Sequence, residues 1–190
     1  MLVLGISGSL RSASYNSALL QAAARLLDPP ARLGVFAGLA AIPPYSEDSD
    51  VERPHPGVER LRAAIAGAHG VLIATPEYNG SLPGQLKNAL DWASRPYPAN
   101  VLRGKPVAVV GASTGMLGAV RAQADLRKVL TTSGARVLDI QVAVANAAAA
   151  FDERLCLVDR RAKEQLRDVV TDLIEECAPA KHRPLTYAAV

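Results

Sequence analysis

Eleven residues near the start, Ser7-Gly8-Ser9-Leu10-Arg11-Ser12-Ala13-Ser14-Tyr15-Asn16-Ser17, bring together five serines, a glycine, an asparagine and an arginine. The apolar run Leu2 to Ile6 precedes them, and leucines at helical spacing follow. A loop so placed is an anion cradle: N–H groups at a helix start, hydroxyl donors and one guanidinium converge on it. It has neither the lysine of a Walker loop nor the GxGxxG spacing, so a terminal phosphate monoester suits it better than a triphosphate or a dinucleotide. An N-capping serine loop is the plain alternative. A second loop, Thr75 to Gln85, reads TPEYNGSLPGQ. Its prolines stiffen it, and Gly80 and Gly84 let backbone approach a flat heteroaromatic ring. Here the alternative is a turn leading into a proline-started helix. The third, Gly111 to Gly118, reads GASTGMLG and is small enough to border the same ring, though a simple connection would also fit.

The elements that must position these loops alternate between β-like runs and helical patterns along the chain. The expected strands are Leu2 to Ile6, Arg32 to Phe36, Gly70 to Thr75, Pro106 to Gly111 and Arg136 to Val144. Helical spacing appears at Leu19, Leu20, Ala23, Leu26 and Leu27, and again over 57–68, 82–93, 117–130 and 159–176. Residues 37–57 carry Pro43, Pro44, Pro54, Pro56 and a run of acidic side chains, and are expected to form an irregular surface connection. The stretch to Ala150 reads as strand or coil. Short crossovers favour an α/β fold with an open three-layer α/β/α sandwich over a closed barrel. One domain is expected over 1–178, with a frayed tail over 179–190.

In a five-stranded parallel sheet of order 2-1-3-4-5 the winding reverses between the first and third strands, and ligands sit beyond the strand ends at that point. The phosphate cradle and the ring-facing loop then serve one ligand. A planar ring at one end and a phosphate monoester at the other describe flavin mononucleotide, FMN.

Composition narrows the partners. The 190 residues carry 21 Lys and Arg against 18 Asp and Glu, a net charge of +3, with no basic block. No nucleic-acid partner is indicated. No apolar run approaches the roughly 20 residues of a membrane helix, and MLVLGIS reads as a strand, so neither membrane nor export is expected. Cys156 and Cys177 have no metal-type spacing with His55, His69 or His182, which points to small buried thiols in a cytoplasmic protein, with no metal site.

Three segments, GSLRSASYNS, TPEYNGSLPGQLKNALDWASRP and GASTGMLGAVRAQADLR, closely resemble the NADPH-dependent FMN reductases, a flavodoxin-like group that includes quinone, chromate and azo-dye reductases. The resemblance runs through most of residues 1 to 140. It implies a flavodoxin-like fold, bound FMN, and NADPH as donor. By the same resemblance Ser9, Arg11, Asn16 and Ser17, with Ser14, would hold the FMN phosphate. Pro76, Glu77, Tyr78, Asn79 and Gly80 would lie along the isoalloxazine mainly through backbone groups, with Ser113 and Gly115 bordering it. Arg121 would stand near the flavin or a subunit interface, or be an ordinary solvated helix arginine. A homodimer or homotetramer is implied.

The implied reaction is hydride transfer from NAD(P)H to the flavin and then to a small-molecule electron acceptor such as a quinone, azo compound, metal oxyanion or free flavin, in ping-pong order. No side chain is required as a catalytic acid or base, and Trp92 reads as packing. Two other readings stand beside it: an FMN electron carrier without nicotinamide oxidation, and a phosphate-ligand domain without flavin. Carriers tend to be acidic and to sandwich the ring between aromatics, whereas this chain is mildly basic and only 4% aromatic.

Overall fold

The computed structural model describes residues 1–51 and 54–178. Five parallel strands, β1 (Leu2–Ser7), β2 (Arg32–Val35), β3 (Gly70–Thr75), β4 (Pro106–Ala112) and β5 (Arg136–Val144), form one sheet in the order β2-β1-β3-β4-β5. Every residue of β3 and β4 is buried, as expected for central strands covered on both faces. Helices α1 (Tyr15–Ala24) and α6 (Arg160–Cys177) cover one face, burying Leu19, Leu20, Leu166 and Val169 against Leu72, Val110 and Val142. On the other face α2 (Pro56–Gly67), α3 (Gly84–Ala93) and α4 (Val120–Thr132) bury Val58, Leu61, Leu86, Leu90 and Leu126 against Leu4, Ile6, Ile73 and Val109. Strand residues thus alternate between the two cores, the period-two rule applied to a three-layer sandwich.

Three expectations are corrected and a fourth is refined. Helix α4 starts at Val120 and not at Leu117, because Gly118 (φ 56) and Ala119 (φ 63) take left-handed backbone that no helix continues through. A short helix α5 (Ala147–Ala150) replaces the strand or coil expected after Val144. Both cysteines are only half-buried. The described residues of the 37–57 connection are mostly irregular and at the surface, but with more order than expected: they include two 3₁₀ turns, Leu39–Ala41 and Glu47–Ser49, and bury Leu39 and Ile42.

A polar stripe on α3 explains that last difference. Gln85 Nε2 donates to the carbonyls of Leu39 (2.8 Å) and Ile42 (2.9 Å), Asn88 Nδ2 to Pro43 O (2.9 Å), and Trp92 Nε1 to Pro43 O (2.8 Å). Asn88 Oδ1 accepts from Tyr45 N–H at 2.7 Å. The three side chains lie at helical spacing on one face and satisfy backbone groups that have no ladder partner. Trp92 is fully buried, so its packing and its hydrogen bond act together.

The β4–β5 ladder jumps from the pair Val107–Val137 to the pair Val109–Gln141, leaving Leu138 to Ile140 as a bulge. The carbonyls of Leu138 and Ile140 accept hydrogen bonds from the Arg127 guanidinium, whose pKa burial lowers from the ordinary arginine value. The tail expected over 179–190, with His182, lies outside the described residues. No helix among those described is long and apolar enough to cross a membrane, and they contain no group of three or more His, Cys, Asp or Glu placed to hold a metal ion.

Candidate functional site

The reversal of strand order between β1 and β3 opens a crevice at the carboxyl ends of the strands. Loops 8–14, 76–83 and 113–119 meet there. Gly8 N–H donates to Ala74 O at 2.8 Å, drawing the first loop against the end of β3. A Cβ on Gly8 would come within 2.9 Å of Leu86 Cδ2 and 3.3 Å of Pro76 Cδ, so any larger residue would have to push the Leu86 side chain aside.

Inside the first loop the hydroxyls form a chain. Ser17 Oγ donates to Ser7 Oγ (3.0 Å), Ser14 Oγ caps α1 by accepting from Ser17 N–H (3.2 Å), and Ser9 Oγ accepts from Arg11 N–H (3.4 Å). Ser14 and Ser9 are buried, while Arg11 is exposed and its guanidinium meets no carboxylate among the described residues. Asn16 behaves differently. Its side chain is 3% exposed and clasps the end of β4, donating from Nδ2 to Ala112 O and accepting at Oδ1 from Ala112 N–H, both at 3.0 Å. This uses one of the two amide N–H donors, and Asn16 still lines the cleft between the loops.

The second loop turns on a two-residue hairpin. Tyr78 and Ser81 exchange backbone hydrogen bonds (3.0 and 3.1 Å) around Asn79 (φ 53) and Gly80 (φ 79), the positive-φ pair that an Asn-Gly turn supplies without strain. A Cβ on Gly80 would meet nothing nearer than Arg121 Cδ at 3.9 Å, so the hairpin tip faces open space. Glu77 reaches away from the tip: its Oε2 accepts from the N–H groups of Arg121 (3.0 Å) and Ala122 (3.3 Å) at the start of α4. Ser81 Oγ donates to Asp125 Oδ2 at 2.6 Å. In the third loop Ser113 Oγ accepts from Gly115 N–H (3.1 Å), and the loop is pinned to α5 by Ala147 N–H to Ser113 O (3.0 Å) and Asn146 N–H to Gly115 O (3.1 Å).

Two adjoining clefts result. One of about 120 Å³ is lined by Ser9, Arg11, Ser14, Asn16, Pro76, Glu77, Tyr78 and Ser113, together with Tyr15, Ala112 and Thr114. Another of about 320 Å³, lined by Gly8, Leu10, Pro83, Gly84 and Gln85, shares Arg11 and Tyr78 with it. Eight of the residues expected from sequence therefore converge on one cleft. Asn79, Gly80, Gly115 and Ser17 do not line it: the first two form the hairpin tip, Gly115 N–H is bonded to Ser113 Oγ, and the Ser17 hydroxyl turns inward to Ser7. Tyr15 and Leu10 lie within the first motif but carried no polar signal. Tyr15 is held against Phe151, ring centroids 5.3 Å apart, which leaves Tyr78, 48% exposed, as the free aromatic at the rim.

This chemistry suits a phosphorylated planar ligand. A free guanidinium, buried hydroxyls and a helix start lie at one end, and a glycine-tipped hairpin lies at the other. The residues present fit FMN on that ground. A family model described as NADPH-dependent FMN reductase matches residues 1–149. The NAD(P)H-dependent FMN reductase of Pseudomonas aeruginosa is 48% identical over 166 residues, covering 87% of this chain and 89% of that protein. A quinone reductase of Escherichia coli is 39% identical over 138 residues, 72% of this chain and 73% of the other. Among solved structures, a flavoenzyme NAD(P)H:acceptor oxidoreductase from Paracoccus denitrificans superposes with a TM-score of 0.83 at 33% identity, covering 93% of this chain and 96% of that one.

Proposed function

The chain belongs to the NADPH-dependent FMN reductase family, and on that premise we propose that residues 1–178 act as one FMN-binding domain that oxidises NAD(P)H and reduces a quinone-type acceptor. Bound FMN supplies the hydride acceptor. The donor's hydride and one solvent proton end on the quinone as hydroquinone, with NAD(P)⁺ released before the quinone enters. Arg11 and the hydroxyls of Ser9 and Ser14 take the phosphate, and Ser17, whose N–H and hydroxyl are engaged by Ser14 and Ser7, holds the loop in shape. Asn16 fixes Ala112 and turns its second amide N–H to the same ligand. Backbone groups of Pro76 to Gly80 flank the ring, and Ser113 and Gly115 border it.

The observation that carries this reading is the convergence of Arg11, Ser9 and Ser14 with Pro76, Glu77 and Tyr78, at the base of the Asn79-Gly80 hairpin, on one crevice. Of the two tyrosines that line the cleft, Tyr15 is packed on Phe151 and Tyr78 stands exposed at the rim, an arrangement that suits a ring with one face open to nicotinamide and acceptor in turn. Purified protein mixed with FMN is expected to be yellow and to oxidise NADPH when a quinone is supplied. Arg11→Ala is expected to weaken FMN binding by about 1.5–3 kcal/mol, the range for a hydrogen bond to a charged group, on the order of ten- to a hundredfold in Kd. A titration by flavin fluorescence quenching checks this. Unaltered affinity would take Arg11 out of the site, and no NADPH oxidation with FMN and quinone present would refute the enzyme.

The same reading includes assembly and place. Leu10, Met116 and Leu117 are 56%, 86% and 52% exposed around the cleft, and a groove of about 550 Å³ between α3 and α4 carries Lys87, Lys128, Asp91 and Asp125. An exposed apolar rim beside charges of both signs suits a second copy of the same surface. Sedimentation should therefore give two or four times the 20.0 kDa of one chain; a monomer at micromolar concentration would contradict this. The free thiols of Cys156 and Cys177 suit a reducing cytoplasm.

A further inference from the structure

Helix α4 begins without a cap of its own. Ala119 precedes it in left-handed backbone and offers no side-chain acceptor. The acceptor comes instead from Glu77, distant in sequence, whose Oε2 takes the N–H groups of Arg121 and Ala122. A carboxylate there also meets the positive end of the helix dipole, which compensates its charge. One turn further along α4, Asp125 accepts from Ser81 Oγ at 2.6 Å. Glu77 and Ser81 flank the Asn79-Gly80 turn, one on each side.

We infer that Glu77 is a positioning residue, a latch that joins the flavin-facing hairpin to α4 so that the loops after β3 and β4 hold one fixed spacing. This rests on the flavin reading of the cleft. The hairpin's own two backbone hydrogen bonds are too few to fix its direction, since an isolated two-stranded turn is marginal in water. Anchors on both sides of the tip supply what the turn lacks. The tip cannot swing without breaking the Glu77 or the Ser81 bond, and its N–H and C=O groups are thereby aimed before any ligand arrives. The helix end serves a second purpose. Glu77 lines the cleft that is to take an anionic cofactor, and compensating its charge at α4 reduces the repulsion the phosphate would meet.

The test uses the full chain and two readouts, hydrogen exchange over residues 76–81 and 120–122 without cofactor, and FMN affinity by fluorescence quenching. Glu77→Ala is expected to speed exchange in the hairpin and at the start of α4 and to raise the Kd for FMN about tenfold. Glu77→Gln keeps an amide oxygen that accepts the same two N–H groups, and is expected to stay within about threefold of the parent in both. Asp125→Ala should have a smaller effect, and its combination with Glu77→Ala should be non-additive, because both anchors hold one element. Parent-like exchange in Glu77→Ala would overturn the latch. So would a Glu77→Gln protein as weak as Glu77→Ala, since charge and not the tether would then be the cause. If the parent fails to bind FMN, the flavin reading falls while the exchange measurement still decides the latch.

Discussion

Asn16→Ala is expected to lower the folding free energy by about 2–4 kcal/mol. Asn16 is 3% exposed and its amide is bonded twice to one residue, taking both the N–H and the C=O of Ala112 where β4 runs past the last pair of the β3 ladder. Alanine would leave both backbone groups buried and unpaired, and each such loss costs about 1–3 kcal/mol. Asn16→Asp sharpens the expectation. It keeps an acceptor for Ala112 N–H but sets a carboxylate oxygen against Ala112 O, so the near-isosteric change should be at least as damaging as the truncation. Urea unfolding would show the midpoint fall at unchanged m. A shift below about 0.5 kcal/mol would mean that water replaces the amide. FMN affinity should fall with stability, because Asn16 joins the first loop to the base of the third.

Gly118→Ala carries the second large effect. A Cβ at this position would stand 2.6 Å from Ala143 C, 2.7 Å from Ala143 O and 2.9 Å from Ala145 N. All three are backbone atoms of β5 and its exit, so no side-chain rotation relieves the clash. Left-handed backbone at φ 56 adds to the cost. Overpacking of about 1–3 kcal/mol and about 1–2 kcal/mol for the left-handed conformation together predict a loss of about 2–5 kcal/mol, or a displaced third loop with weakened FMN binding. Two other glycines separate the causes. Gly104→Ala shares the positive φ (70) with nothing within 4 Å, and should show the backbone cost alone. Gly115→Ala has ordinary φ and one contact at 3.5 Å with Ser113 Oγ, and should leave stability within about 0.5 kcal/mol of the parent. Equal melting temperatures for Gly118→Ala and Gly115→Ala would sink the argument.

Much of the fold was legible because its signals are local. The all-apolar runs 71–74 and 107–110, short and set between turn residues, read as central strands, and the leucine spacing between Ser17 and the Pro29-Pro30 stop reads as a helix. The cleft was legible for a related reason: its walls are contiguous loops, so the residues of each motif arrive together when the strand order is known. What escaped were partnerships between distant segments. Nothing in PEYN says that its glutamate caps a helix starting at Val120, and nothing in GQLKNALDW says that Gln85, Asn88 and Trp92 face a connection around Pro43. Side-chain to backbone bonds of this kind leave no period in the sequence. The resemblance gives Asn16 a place at the ligand, and it does line the cleft, but nothing in the serine-rich loop says that the same side chain also clasps Ala112; only the three-dimensional nearness of α1 and β4 shows that second role. The β5 bulge was illegible too, since Leu138, Asp139 and Ile140 alternate as a regular strand would.

That bulge bears on how the molecule behaves when crowded. β5 is an outer strand, and an outer strand offers a template on which a foreign chain can add. Here the repeat of free groups is broken at its middle, and two carbonyls are already claimed by Arg127. A strand attempting to extend the sheet would find no continuous register beyond a few residues. At this edge of the sheet the irregularity is therefore expected to disfavour strand addition, and Arg127→Ala should be judged as much by turbidity on storage as by melting temperature.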